Sequence, residues 1–534
     1  MLIQKLLLST HAGYEYTLGD VDRFCVQLNR NGQVSSASAG DILLSRTLGN
    51  PLEGGLGRMF FRVHFGDAIK LHPLLGTFTS LSDFACEENL AQWAGDVAGC
   101  AITLSLRVDV EAATLLWDVS AVNQSAEPVR IDTVWVQDVG LASRGALLSN
   151  EAYTAHYLDE SVIQDATYGP VLSFRQNLQQ AGKNPWMMAV CLTGAASYAT
   201  DAFDVYGNGY RCGEGASGLE QESLANCCYQ YEFSCAALQA KPVELVAKQS
   251  AQFSFAAAYV ADHPEASSAA DLSLLKGMHA LSGQSICDSL EVQSLPALNQ
   301  IAQSEPVHGR DLSQPELQAL FPSKWRHVEN RQGIVMSFFC DTDKHVVTRA
   351  KEAIIERPHG TIIVGDAGTD SIREVLATTV HMCGVFSAQT VYGNTSFHKM
   401  NSLPREPLGL SRVSGVRIYF ETEDGWQVLG TPSVFEMTRD ACRWVYVLDQ
   451  ETITVRVALD SGRDAFTISA STTGAKRCFL VSNELVMGAT ETDSNAALEI
   501  HESDCLLTIA DCSNVLPKER SLDLAFGVSW TENT

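Results

Sequence analysis

The sequence predicts a mainly β protein, made of two antiparallel β-sandwich domains joined by a short helical linker. Residues 102–110 (ITLSLRVDV) and 453–459 (ITVRVAL) alternate between apolar and polar side chains. This period of two is typical of a strand with one buried face and one wet face. Strand-like segments recur on both sides of residues 264–328, where the alternation is lost. Repeated short strands with turn signals between them favour antiparallel sandwiches.

The first predicted sandwich comprises residues 1–263. Within it, residues 117–122 and 129–136 are strand-like, and the segment between them (NQSAEP) is rich in turn formers. Residues 252–258 are the expected closing strand. Near the start, an apolar run leads into Asn31 and Gly32, a pair that predicts a type I′ hairpin turn.

The predicted linker comprises residues 264–328, and we expect most of the helix in the chain to lie there. Residues 271–276 and 316–321 have the composition of short helices. Ser313 and Glu316 form a capping-box signature, and Pro315 suits a first helical turn. The second predicted sandwich then comprises residues 329–534. Its further strand-like runs are residues 466–470, 476–486 and 522–530.

Composition excludes some classes of function. The 534 residues carry a formal net charge of -26, which disfavours nucleic acid and anionic membrane surfaces, since both attract clustered Lys and Arg. The 15 cysteines include no C-x-x-C pair, so they predict buried thiols in a reducing compartment. The apolar run at the N-terminus is too short for a signal peptide, and no stretch is long enough to cross a membrane. The sequence therefore predicts a cytoplasmic protein.

Catalytic chemistry cannot be located from residue spacing. The sequence lacks the serine-hydrolase, metalloprotease, P-loop and dinucleotide-binding signatures, and its histidines show no metal-ligand spacing. We therefore assign no catalytic residue and no metal ligand. Residues 54–57 (GGLG) could hold a phosphate through backbone N–H groups, but an ordinary tight turn is favoured. His345, His359 and His381 are each interpreted as a surface or a satisfied core histidine.

Two segments combine aromatic and polar residues in the way that sugar sites do. Residues 150–159 (NEAYTAHYLD) follow a predicted strand, and residues 392–399 (YGNTSFHK) contain a possible hairpin turn. Aromatic rings stack on the C–H faces of sugars while amides and carboxylates bind the hydroxyls. The alternative for the first segment is a well-packed loop. The candidate substrate-binding residues are Asn150, Glu151, Tyr153, His156 and Tyr157.

Several motifs resemble the β-1,2-oligoglucan phosphorylases of the cellobiose-phosphorylase family. Residues 136–145 (VQDVGLASRG), leading into Asn150-Glu151-Ala152-Tyr153, resemble the N-terminal sandwich of those enzymes. Motifs similar to their second sandwich lie at 356–360 (ERPHG), 384–386 (GVF), 393–397 (GNTSF), 432–437 (PSVFEM), 442–444 (CRW) and 483–488 (NELVMG).

The resemblance implies an inverting phosphorolysis of β-1,2-glucooligosaccharides to glucose 1-phosphate, with inorganic phosphate as co-substrate and no cofactor. One Asp acts as general acid, on an (α/α)6 barrel that follows the sandwiches in the family. No long run of amphipathic helices occurs in this chain, so we expect the barrel to lie outside it and the chain to shape or cover the active site. The implied partners are a β-glucan oligosaccharide and the barrel or a second subunit, and a homodimer is also compatible with the resemblance. The alternatives are a stand-alone carbohydrate-binding module and a structural docking module.

Overall fold

A computed structural model describes most of the chain. The described residues are 15–50, 52–230, 233–282, 293–295, 301–365, 376–392, 399–460, 465–475, 477–488, 498–503, 506–511 and 524–527. They are mainly β, with 51% strand and 10% helix, and almost all strand pairs are antiparallel. The predicted fold class is confirmed.

The structure divides the chain into two compact units. The described residues up to Gln303, together with Leu408–Leu410, form the first unit. Those of Ser304–Pro407 and from Ser411 onward form the second. The division falls inside the predicted linker, and the three-part domain scheme itself stays a prediction.

Twenty strands of the first unit lie in the described residues. They are β1 (Tyr16–Asp20), β2 (Phe24–Leu28), β3 (Val34–Ala39), β4 (Ile42–Leu43), β5 (Arg58–Phe65), β6 (Ala68–Pro73), β7 (Asp83–Glu87), β8 (Leu90–Val97), β9 (Cys100–Asp109), β10 (Thr114–Asn123), β11 (Val129–Asp138), β12 (Ala142–Ser143), β13 (Leu158–Asp165), β14 (Gly169–Gln176), β15 (Trp186–Cys191), β16 (Ala195–Asp201), β17 (Ser234–Ala240), β18 (Val243–Leu245), β19 (Ser250–Val260) and β20 (Gln293–Ser294).

Two large sheets of this unit enclose one apolar core. The nine-stranded sheet has the order β13-β14-β15-β19-β10-β9-β8-β7-β20, and the six-stranded sheet has the order β16-β17-β11-β5-β6 with β18 beside β11. Trp135 on β11 and Phe255 on β19 bring rings from the two sheets within 6.0 Å of each other. A smaller sheet, β1-β2-β3-β4-β12, adds apolar side chains to the same core. The predicted strands at 117–122, 129–136 and 252–258 fall within β10, β11 and β19, and the one at 102–110 coincides with β9 up to Asp109. Their alternation matches these two-faced sheets.

The hairpin predicted at Asn31 and Gly32 is confirmed, but its turn is longer than a two-residue type I′ turn. Residues 29–33 connect β2 to β3. The Asn29 side-chain oxygen accepts hydrogen bonds from the backbone N–H groups of Asn31 (3.0 Å) and Gln33 (3.1 Å). Gly32 has φ +69, a conformation that favours glycine. The side-chain hydrogen bonds therefore stabilise a wider loop than the dipeptide predicted.

Helix in the first unit lies partly outside the predicted linker, which corrects that expectation. Helix α1 (Arg144–Ala155) is the longest helix among the described residues, and α2 is the short helix Ala202–Tyr206. Within the linker range, a 3-10 turn at Ala269–Leu274 leads into α3 (Leu275–Ser282). The sequence does not predict α1 because the helix has no continuous apolar stripe: its buried residues are Leu147, Thr154 and Ala155.

In the second unit, nineteen strands are seen in the part of the chain that the structure describes. They are β21 (Pro306–Val307), β22 (Arg326–Arg331), β23 (Ile334–Cys340), β24 (Lys344–Thr348), β25 (Gly360–Val364), β26 (Leu376–His381), β27 (Val385–Tyr392), β28 (Lys399–Asn401), β29 (Val416–Thr422), β30 (Gly425–Leu429), β31 (Val434–Met437), β32 (Ala441–Val447), β33 (Thr452–Leu459), β34 (Phe466–Thr472), β35 (Phe479–Asn483), β36 (Leu485–Gly488), β37 (Leu498–Ser503), β38 (Leu506–Asp511) and β39 (Leu524–Gly527).

Two seven-stranded sheets form the second sandwich. One has the order β21-β30-β29-β27-β26-β25 with β35 beside β29, and the other has the order β22-β23-β24-β31-β32-β33-β34. Trp444 on β32 is fully buried between them and lies 4.9 Å from the ring of Phe386 on β27. The strands predicted at 453–459 and 466–470 coincide with β33 and β34.

Helix α4 (Gln314–Leu320) covers part of the outer face of the second sheet, and a short helix, α5 (Arg349–Glu352), follows β24. The predicted capping box is confirmed, since the Glu316 carboxylate accepts hydrogen bonds from the Ser313 N–H (2.8 Å) and hydroxyl (2.6 Å). Leu317 and Phe321 then pack with Val434 and Val445 of the sheet. A separate apolar cluster therefore forms between α4 and the outer face.

Candidate functional site

The segment predicted as a sugar-binding loop is the end of α1 followed by the start of β13. Asn150 interrupts the helix with φ -163 and ψ 93. Its side-chain oxygen accepts a hydrogen bond from the Tyr153 N–H at 2.9 Å and so caps the last helical turn. The loop assignment is corrected accordingly: the asparagine, which suggested a loop, restarts a helix.

Tyr153 and Tyr157 form a pair of rings on the surface. They are four residues apart, so they lie on one side of the chain as it leaves the helix. Their ring centroids are 5.1 Å apart at 66°, and their hydroxyls are hydrogen-bonded at 2.9 Å. Tyr153 is 50% exposed, so its ring is not part of the core. The hydrogen bond with Tyr153 raises the pKa of the Tyr157 hydroxyl.

The backbone beneath this tyrosine pair is fixed to β14. The Gln176 side-chain amide donates to the Thr154 carbonyl at 3.2 Å, and the Asn177 N–H donates to the Tyr157 carbonyl at 2.9 Å. Side chains on backbone that is tied to regular structure are positioned more precisely than side chains of free loops. The backbone that carries the pair is therefore well positioned.

The remaining candidate residues surround the tyrosine pair. Asn150 and His156 are exposed, and Glu151 is partly buried. The structure thus brings all five predicted residues onto one short stretch of surface. Their role in binding substrate stays a prediction.

A buried acid lies close by, and the sequence analysis did not identify it. Glu160 on β13 is 3% exposed, and neither of its carboxyl oxygens has a hydrogen-bond partner of normal geometry. Burial raises its pKa to about 8, although the nearby Ser234 and Thr200 hydroxyls favour the charged form. The only sequence signal is its position two residues after the buried Leu158, on the inward side of a strand.

A buried ion-pair network stabilises the outer face of the six-stranded sheet. Arg62 is fully buried and binds Asp132 through two hydrogen bonds, of 2.7 and 2.8 Å. His64 and Gln239 also contact the Asp132 carboxylate, at 2.8 and 3.1 Å. Arg62 donates in addition to the backbone carbonyls of residues 219, 221 and 222. The network therefore holds the irregular segment after α2 against the sheet.

The three histidines singled out in the second half have different environments. His359 Nδ1 lies 2.7 Å from the carboxylate of the buried Glu352. The His345 ring stacks on Phe339 with centroids 4.4 Å apart. Burial lowers the pKa of His381 to about 4, and neither of its ring nitrogens has a hydrogen-bond partner. His381 is therefore not the satisfied core histidine that the sequence suggested.

The glycine-rich turn at residues 54–57 is an ordinary turn, as favoured. The Gly54 N–H donates to the Gln33 side-chain oxygen at 2.5 Å, and the Gly55 N–H donates to the Val34 carbonyl at 2.7 Å. These N–H groups point into the protein rather than toward a phosphate. The second aromatic segment cannot be placed in the same way, since residues 393–398 lie outside the described residues.

The described residues contain neither a metal-ligand cluster nor a helix that could span a membrane. Within them, no three His, Cys, Asp or Glu side chains are grouped so that they could hold a metal ion. In that same part of the chain, no helix is long and apolar enough to cross a membrane.

Comparisons with known proteins agree with the motif resemblance. Residues 27–256 match the SOGP N-terminal domain, and residues 321–533 match the glycoside phosphorylase supersandwich domain. The two matches correspond to the two sandwiches. The chain therefore carries both of these domains, one after the other.

A curated relative aligns with nearly the whole chain. The chain is 31% identical, over 505 residues, to a 1,2-beta-oligoglucan phosphorylase from Listeria innocua. The alignment covers 94% of this chain and 45% of the relative, so the chain spans about half of that relative's length.

Solved structures show only weak likeness over the whole chain. A polysaccharide lyase shares 8% identity at a TM-score of 0.29, covering 86% of this chain and 46% of that one. A galactose mutarotase-like protein from Clostridium acetobutylicum shares 11% identity at a TM-score of 0.25, covering 45% and 94%. TM-scores this low do not establish a common fold.

Proposed function

We propose that the chain is the non-catalytic region of an inverting glycoside phosphorylase that acts on β-1,2-glucooligosaccharides. In this proposal the two sandwiches shape or cover the active site of a barrel that lies outside these 534 residues. The observation that carries it is the alignment with the Listeria innocua relative, which covers nearly all of this chain and less than half of the relative. The partners would be a β-glucan oligosaccharide and that barrel, in the same chain or a second subunit.

The reaction needs two groups that the proposal assigns elsewhere. A general acid protonates the glycosidic oxygen, and inorganic phosphate attacks the anomeric carbon from the opposite face, so glucose 1-phosphate forms with inversion. No cofactor is required. The role left to this chain is to position the oligosaccharide and to exclude water that would compete with phosphate.

We infer that the tyrosine pair makes the substrate contact. Tyr153 offers an exposed ring edge and face, and Asn150, Glu151 and His156 supply hydrogen-bonding groups around it. Stacking on a sugar suits a surface ring whose backbone is already fixed, because little conformational entropy is lost on binding.

A chimera tests this proposal. The present chain replaces the matching region of the Listeria innocua relative, and glucose 1-phosphate release is measured with β-1,2-glucooligosaccharides and phosphate. We expect Tyr153→Ala to lower kcat/KM by about tenfold, as losing about 1.4 kcal/mol of contact does, with an unchanged Tm. Phe65→Ala is the matched control, since that ring is 61% exposed at the end of β5, in the six-stranded sheet. Equal activity of the Tyr153 variant and the control would remove the tyrosine pair from the site.

The 534-residue chain alone should release no glucose 1-phosphate above background. If the chain binds the oligosaccharide but neither the chain nor the chimera cleaves it, the alternative of a stand-alone carbohydrate-binding module is favoured. A chain that binds no glucan but associates with the barrel favours the docking alternative.

We also propose a cytoplasmic location. The twelve cysteines in the described ranges are all free thiols, and most of them are buried. Free thiols in this number are typical of a reducing compartment.

A further inference from the structure

A polar cleft lies on the outer face of the second sheet of the second unit. It has a volume of about 290 Å³, at the small end of ligand sites. Its floor is formed by β31, β32 and β33, and its rim by the β23–β24 turn and the β31–β32 turn. Its charged and hydroxyl side chains are Asp343, Lys344, Glu436, Thr438, Asp440, Arg443 and Arg456.

Strand alternation explains why this floor is polar. On β32, Cys442 and Trp444 point into the sandwich core, so Arg443 points outward. On β33, Val455 and Val457 are in the core, so Arg456 points outward. Helix α4 covers the neighbouring part of this face with its own apolar cluster, and Phe321 of that cluster contacts Arg443, but Arg456 stays exposed. The cleft is the uncovered remainder of the face.

Two cations face each other in this floor. Arg443 and Arg456 are directly opposite in the antiparallel register of β32 and β33, an arrangement that is unfavourable for like charges. Arg443 is held by Glu436 at 2.5 Å and lies over the Phe321 ring at 5.5 Å. The Arg456 guanidinium makes no hydrogen bond or ion pair with any residue in the described ranges. Arg456 is therefore a cation on a paired strand, and its guanidinium N–H groups are available to a ligand.

Acceptors with unused capacity line the rim. Among the residues that the structure describes, the Asp343 side chain has no hydrogen bond or ion pair. In the same residues, the Asp440 carboxylate accepts only from the Thr438 hydroxyl, at 3.1 Å. Glu436, by contrast, already contacts both Arg443 and Lys344. The three cations and three carboxylates of the lining balance in charge.

The chemistry of the lining selects a neutral, densely hydroxylated ligand. An anion would meet Asp343 and Asp440, and a cation would meet Arg456, each at a cost in repulsion. An apolar ligand would bury charged groups without partners. A sugar offers both donors and acceptors in a small volume, so its hydroxyls can bind the carboxylates and Arg456 at once.

We propose that this cleft is a sugar-binding subsite for one or two hexose units, separate from the tyrosine pair. The choice of β-1,2-glucose as the preferred sugar rests on the proposed function, whereas the cleft itself does not. In an oligosaccharide-processing enzyme, such a subsite would hold a remote part of the chain of sugars. Arg456 and Asp440 are its main contacts.

The test removes the tyrosine pair first, so that the two sites are distinguished. The full chain carrying Tyr153→Ala is titrated with a β-1,2-linked glucose disaccharide to about 20 mM, a range that detects weak millimolar binding, by ligand-observed NMR. We expect saturable binding in this background. Adding Arg456→Ala or Asp440→Asn should weaken it by about tenfold or more, as loss of a hydrogen bond to a charged group does. Arg331→Ala, an exposed arginine on β22 of the same sheet, is the matched control and should not change it.

The outcomes separate the cleft from the proposed function. Loss of all binding on Tyr153→Ala alone would overturn the cleft and support the tyrosine pair. Binding that survives Arg456→Ala and Asp440→Asn, or saturable binding of inorganic phosphate in place of the sugar, would also overturn it. Binding at the cleft of a β-1,4-linked but not a β-1,2-linked disaccharide would support the cleft and contradict the proposed substrate. Melting curves of all variants confirm that they are folded.

Discussion

Replacing Glu160 by glutamine should remove a pH-dependent loss of stability in the first unit. Glu160 is buried without a normal hydrogen-bond partner, and burial raises its pKa from 4.5 to about 8. Glutamine has nearly the same shape but carries no titratable proton. The substitution therefore isolates the effect of ionisation from the effect of packing.

Whether stability rises or falls with pH depends on how many protons Glu160 binds in the folded and in the unfolded chain. Below about pH 4.5 the carboxyl is protonated in both the folded and the unfolded chain, so it imposes no penalty. Between pH 4.5 and about 8 the unfolded chain is ionised while the folded chain keeps its proton. The folded state then binds more protons, and stability falls as pH rises. Above the folded pKa the loss levels off.

The magnitude follows from the width of this window. Each pH unit between the two pKa values lowers the free energy of unfolding by about 1.4 kcal/mol. At pH 7 the expected loss relative to pH 4.5 is therefore about 3 kcal/mol, and at pH 8 it is about 5 kcal/mol. These values are large beside the total stability of a typical domain, about 5–15 kcal/mol.

Local opening of the first unit is the suitable measurement. Amide hydrogen exchange at β13, β16 and β17 reports the free energy of opening around Glu160 without mixing in the second unit. We expect the wild-type chain to lose protection from pH 5 to pH 8, after correction for the intrinsic exchange rate, and Glu160→Gln to keep it. Glu244→Gln, at an exposed position on β18, is the control and should follow the wild type. If the wild type and Glu160→Gln differ by a constant amount at every pH, the raised pKa is refuted.

Three further predictions concern stability. Arg62→Ala should lower the free energy of unfolding by about 3–5 kcal/mol, because it leaves the buried Asp132 carboxylate without its cation. Arg130, whose side chain is 45% exposed, is the control, and Arg130→Ala should lower it by no more than about 1 kcal/mol. Denaturant melts compare the two variants. Trp444→Ala should cost about 3–5 kcal/mol, since it empties the centre of the second sandwich, and a small shift would contradict its burial. Tyr153→Ala should cost no more than about 1 kcal/mol in the same melts, in agreement with its 50% exposure, and a loss as large as that of Trp444 would place the ring in the core.

For the tyrosine pair, local sequence pattern predicted the segment but not its secondary structure. The sequence identified residues 150–159 by their aromatic and polar composition, and the structure places Tyr153 and Tyr157 side by side on the surface. It did not predict the helix beneath them, because Asn150 suggests a loop when read alone. A helix that restarts after a capped kink depends on the packing around it, which composition does not report.

The buried charges show the same limit more strongly. Arg62 and Asp132 are 70 residues apart in the sequence, and each looks like an ordinary surface charge within its strand. They meet because β5 and β11 pair in register, with Arg62 directly opposite Asp132. Register is set by the sheet as a whole, so the sequence spacing carried no signal of the pair.

The sequence by itself determined the fold class, the main strands and the resemblance to the phosphorylases, because strand alternation and turn residues are local and the shared motifs are contiguous. The two sandwiches, the capping box at Ser313 and the strand β9 all follow from such local patterns. Only the tertiary structure decided which polar residues are buried and which are left with unused hydrogen-bonding groups. Glu160 and Arg456 both lie in alternating strands, yet one faces the interior of a sandwich and the other an open cleft. Strand alternation predicts which residues share a face of the sheet. Whether that face is buried or open depends on segments that are distant in the sequence and pack against it.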